Sequence, residues 1–322
     1  MALLPEHIAS RMRLPVIVAP MLRVSGPELV KAACRAGVIG AFPTVNPRSP
    51  AELNEWLDEL DGELTETDAP YCPNLIMRRD DIERDVDILS QHRTEIVITS
   101  VGSPAPIMPA LREAGITVLA DVATVRHARR ALNVGVDGLI LLTAGAGGNT
   151  GWLNPFAFVR AVREFFDGPL VLAGGISDGR ALLAARTLGC DLGYMGTKFI
   201  ATAESRAQVP YKQMVVDSSI DDIVRTRAFT GMDTSMLVPS IRAAGLDPAK
   251  LEESADVAAA RAAYGGGATA GGPKRWKDIW SAGHSVSGVD RLTTVCEVVT
   301  RTAYEYGTAR TALSAPALAP YN

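Results

Sequence analysis

The feature that most constrains the fold is a regular alternation of short apolar runs with amphipathic segments. Runs of strand length recur from Val16 to Met195, most of them separated by about 20–30 residues. The segments between them show helical periodicity, as in residues 27–36, 105–114 and 125–132. Apolar strands that alternate with helices predict a parallel sheet covered by helices, and eight such units predict a closed barrel. The eight runs are residues 16–19, 38–42, 72–76, 95–99, 117–120, 138–142, 170–173 and 192–195.

The predicted fold is therefore an α/β protein, a (β/α)8 TIM barrel with a helical cap inserted after strand 8. The alternative is an open doubly wound sheet. An open sheet that binds a dinucleotide carries GxGxxG after its first strand, whereas this chain has APMLRVSG there. The missing fingerprint favours the barrel.

Beyond the eighth run the alternation stops, which suggests how the chain is divided. Residues 207–288 are predicted to form a mostly helical cap over the barrel mouth, and within them residues 265–272 (GGGATAGG) read as a flexible loop or hinge. A final helix over residues 289–306 is expected to return to the barrel. The predicted domains are thus residues 1–206 with 289–322 for the barrel, and 207–288 for the cap.

Composition narrows the class of protein. Of 322 residues, 47% are hydrophobic and 21% charged, which is enough for a substantial core. The net charge of -4 gives no support for binding nucleic acid or an anionic membrane. Four widely spaced cysteines without a CxxC pair argue against a zinc cluster or a disulfide scaffold. No signal peptide or long apolar segment stands out, so we expect a soluble cytoplasmic protein that acts on a small molecule; a homodimer stays open.

Barrel chemistry is found at the carboxyl ends of the strands, so the residues that follow each run are the candidates. Gly174 and Gly175 follow the seventh run, and Gly196 and Thr197 follow the eighth. Glycines there let the backbone approach a ligand, and the helices that follow present N–H groups at their N-termini. This pattern predicts a site for a cofactor phosphate, with ordinary turn glycines as the alternative. The other candidates after the runs are Pro20, Met21, Asn74, Met77, Ser100, Gly102 and Asp121.

The sixth run is followed by TAGAGGNTG, residues 143–151, in which four glycines occur within seven positions. Bare backbone of this kind suits a flat cofactor or a phosphate, and an ordinary long loop is the alternative. Asp121 either orients a ligand or, as we favour, caps the next helix. Cys72 and Cys190 are expected to be inert core thiols. No HxH, HExxH or acidic cluster indicates a metal site.

Histidine is the usual acid or base at neutral pH, and this chain has four. His7, His92 and His127 are expected at the surface. His284, in the segment WSAGHSVSG, is as consistent with a hydrogen bond to a ligand at the barrel mouth as with a structural role in its loop.

These residues resemble the nitronate monooxygenase family, formerly called 2-nitropropane dioxygenases, which also includes FMN-dependent enoyl-acyl-carrier-protein reductases and quinone reductases. The resemblance runs from about Pro15 to Tyr306. It implies a TIM barrel flavoprotein that binds FMN, with the phosphate on the loops after the seventh and eighth strands. The segments that carry it are VIVAPM, CPNL, GLILLTAGAGGNTG, LVLAGGISDG, LGYMGTKFIATAES and WSAGHSVSG.

Carried over by position, the resemblance also assigns cofactor contacts. Asn74 would hydrogen-bond the flavin, and Pro20 and Met21 would back the isoalloxazine ring through the main chain. Gly147 would line the loop after strand six. The phosphate would be held by Gly175 and by the run Tyr194, Met195, Gly196 and Thr197.

The chain departs from the family in the loop after strand six. Most members read Gln-Gly-x-Glu-Ala-Gly-Gly-His there, and the histidine serves as a catalytic base or substrate anchor. This chain has Leu142, Gly145 and Asn149 in place of the glutamine, glutamate and histidine. A neutral amide cannot accept a proton at a useful pKa, although it can donate a hydrogen bond. Asn149 and His284 are the predicted catalytic residues, His284 replacing part of the lost function from the cap side.

The function predicted first is FMN-dependent oxidation of a nitronate or nitroalkane with O2. The alternative is an FMN-dependent enoyl or quinone reductase that uses NAD(P)H as electron donor. The third hypothesis, from another class of function, is a flavin-free barrel isomerase or lyase that binds the phosphate of its substrate. The fourth hypothesis is a non-catalytic binding protein.

Overall fold

The computed structural model describes residues 4–253, 255–264 and 273–314. Parallel strands form a closed eight-stranded barrel in which the first strand pairs with both the second and the last, and Ile17 lies opposite Tyr194 at that closure. The barrel prediction is confirmed. The barrel strands are β1 (Val16–Val18), β2 (Ile39–Pro43), β3 (Tyr71–Ile76), β4 (Ile96–Ser100), β5 (Thr117–Val122), β6 (Gly138–Leu142), β8 (Leu170–Ala173) and β9 (Leu192–Met195); β7 (Gly148–Asn149) lies outside the barrel.

Two core layers result because side chains alternate across each strand. Ile17, Ile98 and Val171 point inward and fill the barrel. Val16 and Val18 point outward and pack with the helices. The helices of the βα units are α2 (Pro27–Arg35), α3 (Pro50–Glu63), α4 (Ile82–Leu89), α5 (Met108–Glu113), α6 (Val125–Val134), α7 (Pro155–Arg163), α8 (Gly179–Leu188) and α9 (Thr197–Ile200), preceded by the short α1 (Glu6–Ala9).

Local capping fixes where these helices begin and end. Asp178 is the N-cap of α8, and its carboxylate accepts from the Ala181 N–H at 2.8 Å. The N-cap of α6 is Thr124, whose hydroxyl accepts from the His127 N–H at 3.1 Å. Asp121 lies within β5, three residues upstream, so the expectation that it caps this helix is wrong.

The last helix, α13 (Val295–Ser314), packs against α8 and α2 and completes the helical layer. It begins six residues later than the sequence predicted because Thr294 and Glu204 cap it. The Thr294 hydroxyl accepts from the Glu297 N–H, and the Glu204 carboxylate accepts from the Val295 N–H at 3.0 Å. Among the described helices, none combines the length and apolar character needed to cross a membrane.

Between the barrel strands and α13, the chain forms a smaller layer at the carboxyl ends of the strands. The prediction of a mostly helical segment missed a three-stranded antiparallel sheet, in which the loop after β6 contributes β7. The glycine-rich residues 265–272 lie outside the described residues. The elements of this layer are α10 (Val209–Asp217), β10 (Ile223–Thr226), β11 (Thr234–Leu237), α11 (Val238–Ala243) and α12 (Val257–Tyr264), with 3-10 turns at Ile220–Asp222, Pro248–Lys250 and His284–Gly288.

Candidate functional site

A cavity opens at the carboxyl ends of the barrel strands and encloses about 1180 Å³ of empty space, including the part open to solvent. Ten of the twelve predicted site residues line it: Pro20, Met21, Asn74, Gly147, Asn149, Gly174, Gly175, Tyr194, Gly196 and Thr197.

The other two predicted residues are not part of the lining. The Met195 side chain is buried between the barrel and its helices. The His284 side chain is exposed and lies over Gly145, where a methyl group built on that glycine would be 2.7 Å from the His284 Nδ1 atom. Residue 284 opens a 3-10 turn whose buried positions are Ser285 and Val286, and its own side chain is exposed and absent from the cavity lining. The geometry gives no support to His284 as the replacement for the family histidine.

The segment around His284 acts through its backbone instead. The His284 N–H donates to the Gly145 carbonyl at 2.9 Å, and the Gly283 N–H donates to the Thr197 hydroxyl at 2.9 Å. A methyl group on Gly147 would approach the Gly283 nitrogen to 2.7 Å, so the two backbones are in direct contact. These contacts hold the loop after β6 against the loop after β9.

The loop after β8 has the properties expected of an anion site. Gly174 and Gly175 adopt left-handed φ angles of 124° and 74°, which other residues adopt only with strain. A methyl group on Gly175 would meet nothing within 4 Å, so it would stand in open space. Within the described part of the chain, nothing accepts a hydrogen bond from the N–H groups of Gly174, Gly175 or Ile176. Three consecutive donors are therefore available to a ligand.

Asn74 is oriented by its neighbour on the next strand. The Ser100 hydroxyl donates to the Asn74 Oδ1 atom at 2.9 Å, and both side chains are buried. Because its oxygen already has a donor, the amide presents its Nδ2 donor to the cavity.

Asp121 is a cavity residue for which the sequence analysis favoured a role as helix cap over contact with a ligand. Its Oδ1 atom is buried and has no hydrogen-bond partner among the described residues. Burial raises the pKa of this carboxyl to about 7. Tyr194 and Cys72 lie within reach of its charge; burial, together with the Asp121 charge, raises the pKa of each well above its ordinary value. The cavity therefore contains an acid that can gain or lose a proton near neutral pH.

Asn149 lines the cavity from the small sheet, where it pairs with Thr234. Its side-chain oxygen is buried and has no partner within the described ranges. The side chain of Asn149 is thus a neutral amide at the cavity wall. It can hydrogen-bond a ligand there, and it cannot serve as a base.

The cap side of the cavity is aromatic. Tyr211 and Trp280 stack with their ring centroids 5.1 Å apart, and the Tyr211 hydroxyl donates to the Ser281 carbonyl at 2.5 Å. Trp276 also lines the cavity, with a left-handed φ of 65° that is strained for a tryptophan. Sequence reasoning missed all three, since their positions along the chain give no periodic signal.

One histidine far from the cavity also departs from expectation. The His92 side chain is 8% exposed rather than at the surface. Its Nδ1 atom lies 3.0 Å from the Asp61 carboxylate, and its Nε2 atom lies 3.1 Å from the Asn54 amide oxygen. The prediction failed because both partners come from α3, more than 30 residues upstream. His7 and His127 are exposed as predicted, and Cys72 and Cys190 are buried.

The fold and the cavity together define a (β/α)8 barrel protein with a ligand cavity at the carboxyl ends of its strands. Within that class, the chain belongs to the nitronate monooxygenase family, whose profile matches residues 43–302.

Three individual relatives each share 26% or 27% of the aligned residues with this chain. A "nitronate monooxygenase" of Paraburkholderia phytofirmans is 26% identical over 278 residues, 73% of this chain and 76% of that protein. The solved nitroalkane oxidase of Streptomyces ansochromogenes has a TM-score of 0.79 and 26% identity, over 95% of this chain and 99% of that one. A Rhodococcus jostii protein is 27% identical over 227 residues, 69% of this chain. It is named (3aS,4S,5R,7aS)-5-hydroxy-7a-methyl-1-oxo-octahydro-1H-indene-4-carboxyl-CoA dehydrogenase, and the match spans 62% of its length.

Proposed function

We propose that this chain is an FMN-dependent oxidoreductase that oxidises a nitronate. The observation that carries the proposal is the row of unpaired N–H donors at Gly174, Gly175 and Ile176, in a chain of the nitronate monooxygenase family. In barrels of this kind, the loops after the seventh and eighth barrel strands, which are β8 and β9 in this chain, commonly bind a phosphate. The donors, the left-handed glycines and the open space beside Gly175 fit the phosphate of FMN.

The remaining contacts suit the ring end of the same cofactor. Asn74 would donate its amide N–H to the ring, and Pro20 and Met21 would pack beside it. The Met21 N–H already donates to the Ser25 hydroxyl at 3.0 Å, so Met21 would contribute mainly packing. FMN, when bound, supplies the two-electron redox chemistry. The protein orients the ring, excludes water and selects the substrate.

The substrate-side residues decide which form of a nitro compound can react. A neutral nitroalkane must lose a proton from carbon, which requires a base. Asn149 is a neutral amide, and the His284 side chain is exposed outside the cavity lining. A nitronate is already deprotonated and needs no base. We therefore expect a nitronate to be a much better substrate than the corresponding nitroalkane.

A second candidate is a flavin-dependent reductase with NAD(P)H as donor, and one observation favours it. No lysine, arginine or histidine lines the cavity in the described part of the chain, whereas Tyr211, Trp276 and Trp280 do. An aromatic wall without cations suits a flat, uncharged acceptor better than a small anion. The relative named as a dehydrogenase is consistent with this alternative.

The visible spectrum of the purified protein, followed by anaerobic additions, separates the candidates. A yellow protein that is bleached by a nitronate and not by NADH or NADPH supports the first proposal. Bleaching by a reduced nicotinamide supports the reductase. A protein that is colourless after incubation with FMN contradicts both candidates. The flavin-free isomerase or lyase would then be the leading hypothesis.

A further inference from the structure

The floor of the cavity presents polar groups that no described residue satisfies. Asn74 offers an amide donor, Asp121 a carboxyl oxygen without a partner, and Tyr194 a phenol close enough for the Asp121 charge to affect its pKa. These residues lie on three barrel strands, β3, β5 and β9. A flat ring that rests on the ends of the barrel strands would meet all three.

Asp121 is the unexpected member of this set. Its Oδ1 atom is buried without a hydrogen-bond partner or a nearby cation, which disfavours the charged carboxylate in the folded chain, and nothing in the described structure offsets that cost. Groups placed at such a disadvantage commonly serve a ligand. The pyrimidine edge of an isoalloxazine ring carries two carbonyl oxygens on either side of an N–H, and it becomes negatively charged when the ring is reduced.

We propose that Asp121 contacts the isoalloxazine ring from the barrel floor and holds a proton whenever that ring is negatively charged. The inference rests on the proposed binding of FMN and names a cofactor contact that the family resemblance does not assign. As the neutral acid, the carboxyl donates its proton in a hydrogen bond to the ring. As the carboxylate, it repels the charged ring. Asp121 thereby couples proton uptake by the protein to electron uptake by the cofactor.

The neighbouring groups leave Asp121 as the residue that titrates. Tyr194 on β9 and Cys72 on β3 face it, and burial keeps both neutral near pH 7. No cation lines the cavity within the described residues. The pKa of the carboxyl, raised to about 7 by burial, places the change between neutral and charged forms within an accessible pH range.

Sulfite tests the inference without turnover. It adds reversibly to flavin rings, leaves the ring negatively charged and bleaches the absorbance near 450 nm. We would titrate FMN-loaded wild type and Asp121→Asn with sulfite between pH 6 and pH 8. The ratio of the two affinities at each pH cancels the protonation of sulfite itself. The matched control is Asp167→Asn, since Asp167 is exposed and is not part of the cavity lining.

If the charged ring requires a neutral acid, the wild-type affinity falls with the ionised fraction of Asp121. The measured quantity is the sulfite affinity of Asp121→Asn divided by that of wild type. For a pKa of about 7, this ratio should be about tenfold higher at pH 8 than at pH 6. Asp167→Asn should follow wild type at every pH. Asp121→Ser is the second neutral variant if the asparagine variant does not retain FMN.

A ratio that stays constant from pH 6 to pH 8 in both neutral variants would overturn the inference, while FMN binding by wild type would leave the proposed function intact. If the wild-type protein does not bind FMN, this is evident before any sulfite is added. That result overturns both the inference and the proposed function.

Discussion

The Asp121 carboxyl should make the ligand-free protein less stable as the pH rises. Its pKa is about 7 in the folded chain and ordinarily 3.8, so the folded state disfavours the charged form. The cost is absent below about pH 4, grows as the pH rises and is complete above about pH 7. We expect Asp121→Asn to gain on the order of 3 kcal/mol at pH 8 relative to pH 4.

Thermal unfolding of the FMN-free protein checks this. The melting temperature of Asp121→Asn minus that of wild type should increase from pH 4 to pH 8, by several degrees. The comparison across pH removes any constant cost of burying the amide. A difference that does not vary with pH would show that the carboxyl is not shifted.

A separate prediction concerns Asn149 and the activity toward a neutral nitroalkane. Asn149→His would place a base in the cavity at the position where the family resemblance implies a histidine. Proton transfer by a positioned side chain contributes roughly 10²–10⁴-fold to a rate. We expect kcat/KM for a neutral nitroalkane to rise at least about tenfold, with little change for the nitronate.

The matched variant is His284→Ala, which should leave both substrates within about twofold of wild type, since the His284 ring is exposed outside the lining. A large loss of activity in His284→Ala would instead favour the role that the sequence suggested for it.

At the scale of single elements, the loop after β8 can be tested with a matched pair of glycines. Gly175 and Gly115 have similar left-handed φ angles of 74° and 70°, and a methyl group on either would meet nothing within 4 Å. Alanine at either site should cost about 1–2 kcal/mol of stability because of the backbone conformation alone. Gly175 lines the cavity and Gly115 lies between α5 and β5.

We therefore expect Gly175→Ala to weaken FMN binding at least about tenfold, because a methyl group would stand where the phosphate approaches the backbone. Gly115→Ala should keep the wild-type affinity at a similar loss of melting temperature. Flavin fluorescence titration gives both affinities. Equal affinity in the two variants would mean that the phosphate does not bind at this loop.

Individual strands also show what the sequence could and could not predict. The bounds of β6, β8 and β9 match the apolar runs residue for residue, because each strand is buried on both faces and ends at a turn. By contrast, β7 is only a Gly-Asn pair, and it is a strand because β11 lies beside it. A two-residue strand has no pattern of its own, so pairing of this kind depends on tertiary contacts.

The candidate site divides in the same way. Gly174, Gly175 and Asn74 could be located because they lie near the ends of apolar runs, where barrels bind ligands, whereas Tyr194 was assigned only through the family resemblance. Trp276 and Trp280 come from the layer above the barrel, and only the folded path of the chain brings them to the cavity. Asp121 was noticed at the end of its run, but its burial without a partner cannot be inferred from spacing.

At the scale of the whole molecule, the chain returns to the barrel as α13, which packs on α8 and α2. This helix packs on α8 so closely that a methyl group on Gly179 would lie 2.1 Å from the Tyr306 nitrogen and 2.3 Å from the Thr302 carbonyl oxygen. Both are backbone atoms, so no side-chain rotation relieves the overlap. Gly179→Ala should therefore displace α13 and destabilise the protein by about 1–3 kcal/mol.

Gly62 supplies the control, since it lies within α3 and a methyl group there would meet nothing within 4 Å. Gly62→Ala should stabilise the chain by about 0.5–1 kcal/mol through helix propensity. Chemical denaturation of the two variants would thus give shifts of opposite sign for the same substitution in two helices. If Gly179→Ala were as stable as Gly62→Ala, the close contact between α8 and α13 would not contribute to the stability of the protein.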